Sequence, residues 1–237
     1  MRIVFLCSGG GGNLRFVATA IDQGWLKGTQ ICAVLSDRTC AAHTVALTHG
    51  FHAQLMDFSD AGQAEVLRKL RSLSPDVIVT TVHKILNPDI VDAFAGKLLN
   101  LHYALLPAFA GAIGERPVRQ AVAYGARFAG ITVHLVDDRL DLGRPLFQAV
   151  TAIQPNQDHT ALMDRLFRSG CLSLLQAIAS FLPTRLAGNH PAQATVTLGG
   201  QPVHFNPGVI VPPALLHESG WAALRGVRAA ALNKAPG

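Results

Sequence analysis

The sequence predicts an α/β fold built on a doubly wound, mostly parallel sheet, and two observations predict it. Short apolar runs bounded by turn residues alternate with longer stretches of helical periodicity through the first hundred or so residues, the strand–helix rhythm of a parallel sheet. Hydrophobic residues make up 49% of the 237 positions and charged residues only 15%, which suits a large buried core and argues against a disordered chain.

Each element follows in order. Arg2 to Cys7 reads as a buried strand, and "NLRFVATAIDQGWL" as a helix with apolar positions at Leu14, Val17, Ala18, Ile21 and Leu26. "TQICAVLSD" is a second strand, "AAHTVALTHG" a helix that Gly50 stops, and Ala61 to Leu73 a third helix after "FHAQLMDF". "PDVIVTTV" is a strand, "NPDIVDAFAG" a short helix and "KLLNLHY" another strand. The character then changes. "ERPVRQAVAYG" reads as a helix, "GITVHLVD" and "RPLFQAVTAI" as strands, and "DHTALMDRLFRSGCLSLLQAIASFL" as a long amphipathic helix. Near the end, "ATVTLGGQPVHF" is a hairpin around a Gly-Gly turn, and "PALLHESGWAALRGVRAAALNK" a helix broken near Gly220. The chain divides accordingly into 1–108, 109–185 and an extension at 186–237.

Bulk composition excludes several functions. The formal charge of +5 is a mild excess that helps to attract anions, but no dense Lys/Arg block accompanies it, and 6% aromatic residues is too few for a base-stacking surface. Nucleic acid is therefore not an expected partner. Cys7, Cys32, Cys40 and Cys171 show neither CxxC nor zinc spacing, so reduced thiols in a cytoplasmic protein are expected. The N-terminal apolar run is too short for a signal peptide, and no later stretch predicts a membrane span. No histidine cluster has the spacing of a metal site, and no metal is expected.

Two places could carry chemistry. "VFLCSGGGGNL" puts four glycines between the first strand and the first helix, where backbone N–H groups can approach an anion at the helix N-terminus. It is neither a dinucleotide fingerprint, since Leu14 holds the sixth position, nor a P-loop. An anion site and a bare turn with Asn13 as helical cap are equally compatible with it. The second place is "LLNLHYALLPAFAG". Strand residues two apart point the same way, so Asn100 and His102 converge on one small volume. An imidazolium and an amide N–H there would make two donors for a developing oxyanion. A third partner would come from His134, Asp137, Asp138 or Asp141, and a satisfied polar pair at a strand end explains Asn100 and His102 equally well.

"SGGGGNL", "KILNP", "LLNLHYALLP" and "GITVHLVDDRLDLGRPLFQ", in this order, resemble the 10-formyltetrahydrofolate-dependent formyltransferases, most nearly the phosphoribosylglycinamide formyltransferase branch. The resemblance covers residues 1 to about 185. It implies a Rossmann-like formyltransferase fold with the hairpin and helix as an extension, and transfer of the formyl group of 10-formyltetrahydrofolate to a primary amine. Glycinamide ribonucleotide is the leading acceptor; a different amine, or hydrolysis by a deformylase, are the alternatives. Carried over position by position, it implies that Asn100, His102 and Asp141 are catalytic. Lys84, Ile85, Leu86, Val136, Asp137 and Asp138 would surround the pterin, and Gly10, Gly11, Gly12 and Asn13 would cradle the phosphate of a small anionic amine. His134 also matches a family histidine. A homodimer is compatible with the family.

The sequence departs from the family on the acceptor side. Gly12 stands where Ser is usual, "DAGQAEVL" lacks an expected Arg, and "GAIGERPVRQ" replaces a His-containing segment. An expected Glu-His pair is Phe167-Arg168. Arg116, Arg119 and Arg168 are the candidates to replace the missing phosphate contacts.

Overall fold

The computed structural model describes residues 1–182, 191–222 and 224. Its first half alternates as expected: β1 (Arg2–Cys7), α1 (Gly12–Asp22), β2 (Gln30–Ser36), α2 (Ala41–Thr48), β3 (Ala53–Leu55), α3 (Gln63–Leu73), β4 (Val77–Thr81), α4 (Pro88–Ala93) and β5 (Leu98–His102). The second half holds α5 (Arg116–Tyr124), β6 (Phe128–Leu135), β7 (Pro145–Ala152), α6 (His159–Ala179), β8 (Gln193–Leu198) and β9 (Gln201–Val209). Among the described residues these strands form a single sheet in the order β3-β2-β1-β4-β5-β6-β7-β9-β8. Strands β1 to β5 are parallel, and β6, β7, β9 and β8 extend the sheet in antiparallel fashion.

Both faces of the parallel half are covered, which explains its near-continuous apolar runs. Along β1, Ile3, Phe5 and Cys7 enter the larger core with α1, α2, α5 and α6, while Val4 and Leu6 enter a second core with α3 and α4. Alternation also places Leu98, Asn100 and His102 on the α3/α4 side, with Leu99 and Leu101 on the other. The chain runs outward from β1 to β2 and β3, then returns to β4 beside β1. This reversal opens a crevice at the carboxyl ends of β1 and β4, the place where ligands bind in open α/β sheets.

Three boundaries differ from expectation. The first helix stops at Asp22 instead of running to Leu26, because Gly24 turns left-handed at φ 71°. The third begins at Gln63, two residues late, after a turn over residues 59–62 in which the Gly62 and Gln63 amides both donate to the Ser59 carbonyl. At the C-terminus the break falls before Glu218, not at Gly220: a 3-10 turn spans Pro213–Leu215 and helical backbone resumes over 218–222. Gly220 is inside that helical turn, pressed against the Ala214 carbonyl. The remainder of that expected helix lies outside the described residues. The hairpin is as expected, with Gly199 and Gly200 both at positive φ between β8 and β9. No helix among the described residues is long and apolar enough to cross a membrane.

Candidate active site

A cavity of about 980 Å³ opens at this crevice, and nearly every singled-out segment lines it: Gly9 to Asn13, Lys84 to Leu86, Asn100 and His102, and Val136 to Asp141. The volume is ample for a drug-sized ligand.

Asn100 and His102 do converge, and the structure chooses their partner. Asp141 is the hub. Its Oδ2 lies 3.4 Å from His102 Nδ1 and accepts a 2.8 Å hydrogen bond from the Gly111 amide; its Oδ1 accepts from Asn100 Nδ2 at 3.4 Å. The loop after β6 carries it there. Asp141 adopts a left-handed φ of 54°, and the turn closes through Gly143, where a β-carbon would meet the Leu135 carbonyl at 1.8 Å. Asp138 is exposed, and Asp137 caps its own loop by accepting from the Arg139 amide and guanidinium, which holds its carboxyl below the usual range. Both line the cavity, yet neither contacts the Asn–His pair.

The His102 ring is buried, and its other nitrogen, Nε2, lies 3.3 Å from the Phe109 carbonyl.

His134 is the site residue that residue-level reading left undecided. It pairs with Asn100 across the β5–β6 ladder. Its Nδ1 lies 2.9 Å from the Leu135 carbonyl and its Nε2 3.3 Å from Asn100 Nδ2. Burial lowers its pKa, so the ring is neutral, donates from Nδ1 and accepts the Asn100 amide at Nε2. It thereby fixes which way the Asn100 amide faces. Antiparallel register is the signal that identifies it, and register is not readable from one strand.

The glycine turn is open to ligand. Gly11, at φ 69°, precedes α1 with no side-chain cap. Asn13 is not the cap; it sits inside the helix near the Cys171 thiol. The first-turn N–H groups, at the positive end of the helix dipole, therefore line the cavity without a side-chain partner. The loop after β4 is held differently. Gln63, buried, donates to the Ile85 and Phe58 carbonyls and accepts from the Asn87 amide at 2.7 Å. Leu86 points inward while Ile85 is exposed, so the two offer an apolar wall and a fixed stretch of backbone for a flat heterocycle.

Residues 1–178 match the model of the formyl transferase family. The chain belongs to this family. It is 36% identical over 156 residues to the phosphoribosylglycinamide formyltransferase of Escherichia coli, covering 63% of this chain and 72% of that one. It is 34% identical over 185 residues to the enzyme of the same name from Mycobacterium tuberculosis, covering 76% and 84%. Glycinamide ribonucleotide transformylase 1 from Symbiobacterium toebii superposes with a TM-score of 0.69 at 28% identity, covering 75% of this chain and 85% of that one.

Of the three arginines expected to replace phosphate contacts, Arg119 pairs with Glu115 at 3.1 Å and Arg116 lines a separate surface hollow with Tyr124. Arg168 does reach the cavity, but its charge is matched by Asp164 at 2.6 Å and Glu218 at 2.7 Å.

Proposed function

We propose that this chain transfers the formyl group of 10-formyltetrahydrofolate to the primary amine of glycinamide ribonucleotide. The carrying observation is the placement of one carboxylate, Asp141, against both Asn100 and His102, inside a cavity that also contains an uncapped helix N-terminus. Similarity to enzymes named for this substrate supports the acceptor.

The residues present suit a folate. Leu86, Val136 and the fixed backbone around Ile85 give an apolar slot with main-chain polar groups, as a pterin requires. The folate supplies the formyl group on its N10. As the amine nitrogen bonds to the formyl carbon, charge gathers on the formyl oxygen; His102 donates to it, together with the Asn100 N–H that leaves its long 3.4 Å contact with Asp141 Oδ1. His102 then turns its Nε2–H from the Phe109 carbonyl to the reacting oxygen. Asp141, 3.4 Å from His102 Nδ1, takes up the proton that the amine sheds. The proton passes to the departing N10 as the carbon–N10 bond breaks. Gly10, Gly11, Gly12 and Asn13 hold the phosphate with backbone N–H groups.

A spectrophotometric turnover assay with a 10-formyl folate analogue tests this. Deformylation should require glycinamide ribonucleotide and disappear in His102→Ala. A flat trace with the ribonucleotide present would overturn the acceptor, and a fully active His102→Ala would overturn the mechanism.

A further inference from the structure

Two of the departures noted in the sequence meet each other in space. A β-carbon at Gly12 would lie 2.8 Å from the Phe167 ring, so the ring occupies the volume beside the first turn of α1 that a side chain at residue 12 would otherwise fill. Next to it, Arg168 is only 3% exposed. It binds Asp164 one turn back on α6 and Glu218 in the extension, and its guanidinium carbon lies 5.4 Å from the Trp221 ring centroid. Trp221 in turn stacks on Phe16 of α1 at 6.2 Å and 10°, and donates its indole N–H to the Leu215 carbonyl at 3.0 Å.

Phe16, Asp164, Phe167, Arg168 and Trp221 all line the cavity that holds the Asn–His–Asp centre. They lie on the α1/α6 side of the sheet, opposite the Leu86 and Val136 walls, which belong with the α3/α4 core. Glu218 and Trp221 also lie beyond residue 178, where the family match ends. The wall is thus completed by a part of this chain that the family model does not describe.

We propose that Phe167 and Trp221, latched by the Arg168–Glu218 pair, form the specificity wall of the acceptor subsite. This rests on the reading of the site given above, with the folate on the Leu86 and Val136 side. The wall sets the half-buried Phe167 ring beside the anion-binding turn, with the buried Trp221 held against Phe16 and Arg168 in the same wall and the Asp164 carboxylate at its margin. It therefore favours an amine whose anionic end is joined to the nucleophile through a body with an apolar face, as a sugar ring provides. Binding energy gained on such a non-reacting part of the acceptor is what discriminates it from a bare amine.

The test compares kcat/KM for glycinamide ribonucleotide with that for glycinamide itself, which lacks the sugar phosphate. In Phe167→Ala, Trp221→Leu and Glu218→Gln, the value for the ribonucleotide should fall at least tenfold. The value for glycinamide, and the KM for the folate, should stay within twofold. Equal losses on both acceptors would show a merely structural role and overturn the wall, as would no loss on either. Thermal melts of each variant separate misfolding from lost recognition, and Glu218→Gln keeps the size of the side chain. A wild type that deformylates the folate but formylates neither compound would overturn the acceptor reading instead. The wall is then judged by acceptor-independent hydrolysis, which Trp221→Leu should raise at least fivefold by admitting water; an unchanged rate would overturn it. A wild type with no turnover at all overturns both.

Discussion

At the scale of single residues, the site is organised by one carboxylate and one neutral imidazole. Removing an oxyanion donor from a preorganised site lowers kcat by about 10²–10³, so Asn100→Ala should fall in this range with little change in the KM for the folate. Steady-state kinetics checks this. His134 acts one step back, by accepting the Asn100 amide. Loss of that bond in His134→Phe should lower kcat about tenfold, the equivalent of one hydrogen bond of about 1.4 kcal/mol. His134 also leaves a mark on stability. Burial holds its folded pKa below the value of about 6.5 of the unfolded chain. Below that value the unfolded chain binds more protons than the folded one, so the stabilisation present above pH 6.5 is lost as pH falls toward the folded pKa. Urea titrations between pH 7.5 and 5 should show wild-type stability falling with acid, and a shallower fall in His134→Gln.

Among elements, loop closure decides which acidic residue reaches the centre. Gly143 touches the Leu135 carbonyl, and this contact folds the loop back so that Asp141 faces Asn100 and His102. A β-carbon there must push β6 and the loop apart, an overpacking that costs about 1–3 kcal/mol. Gly143→Ala should therefore lower the melting temperature by about 2–12 °C, taking about 2–4 °C per kcal/mol for a chain of this size. It should also lower kcat, since Asp141 moves with the loop; calorimetry and kinetics on one preparation check both. The sequence announces a turn at "DLGR", and residue chemistry alone left His134, Asp137, Asp138 and Asp141 as equal candidates. Resemblance favoured Asp141, and the geometry gives the reason: Asp137 is spent on capping its own loop, and Asp138 faces solvent.

For the molecule as a whole, the packing of helices on the sheet determines which thiols can react. Burial pushes the Cys7 thiol up to about 12 and that of Cys171 well above its usual value, whereas Cys32 and Cys40 are partly exposed. A thiolate-selective reagent at pH 8 should modify at most two thiols in the native protein and all four after denaturation; rapid labelling of Cys7 or Cys171 in the folded protein would contradict the packing. The same scale shows what the extension does within the described residues. Its strands β8 and β9 lengthen the sheet beyond β7, and Trp221 returns to the cavity near α1.

The sequence by itself determined the strand–helix order, the Gly-Gly hairpin, the glycine turn before α1 and the shared direction of Asn100 and His102. All of these depend on neighbours within a few residues, where hydrophobic period, strand alternation and glycine's freedom at positive φ act directly. Only the tertiary structure decided that Asp141 completes the centre, that His134 orients Asn100, that Gln63 fixes the loop around Ile85, and that Phe167 packs against Gly12 while Trp221 walls the same cavity. Those contacts join residues 22 to more than 150 positions apart. They arise from strand register, loop closure and the packing of α6 across the sheet, none of which leaves a local period to read.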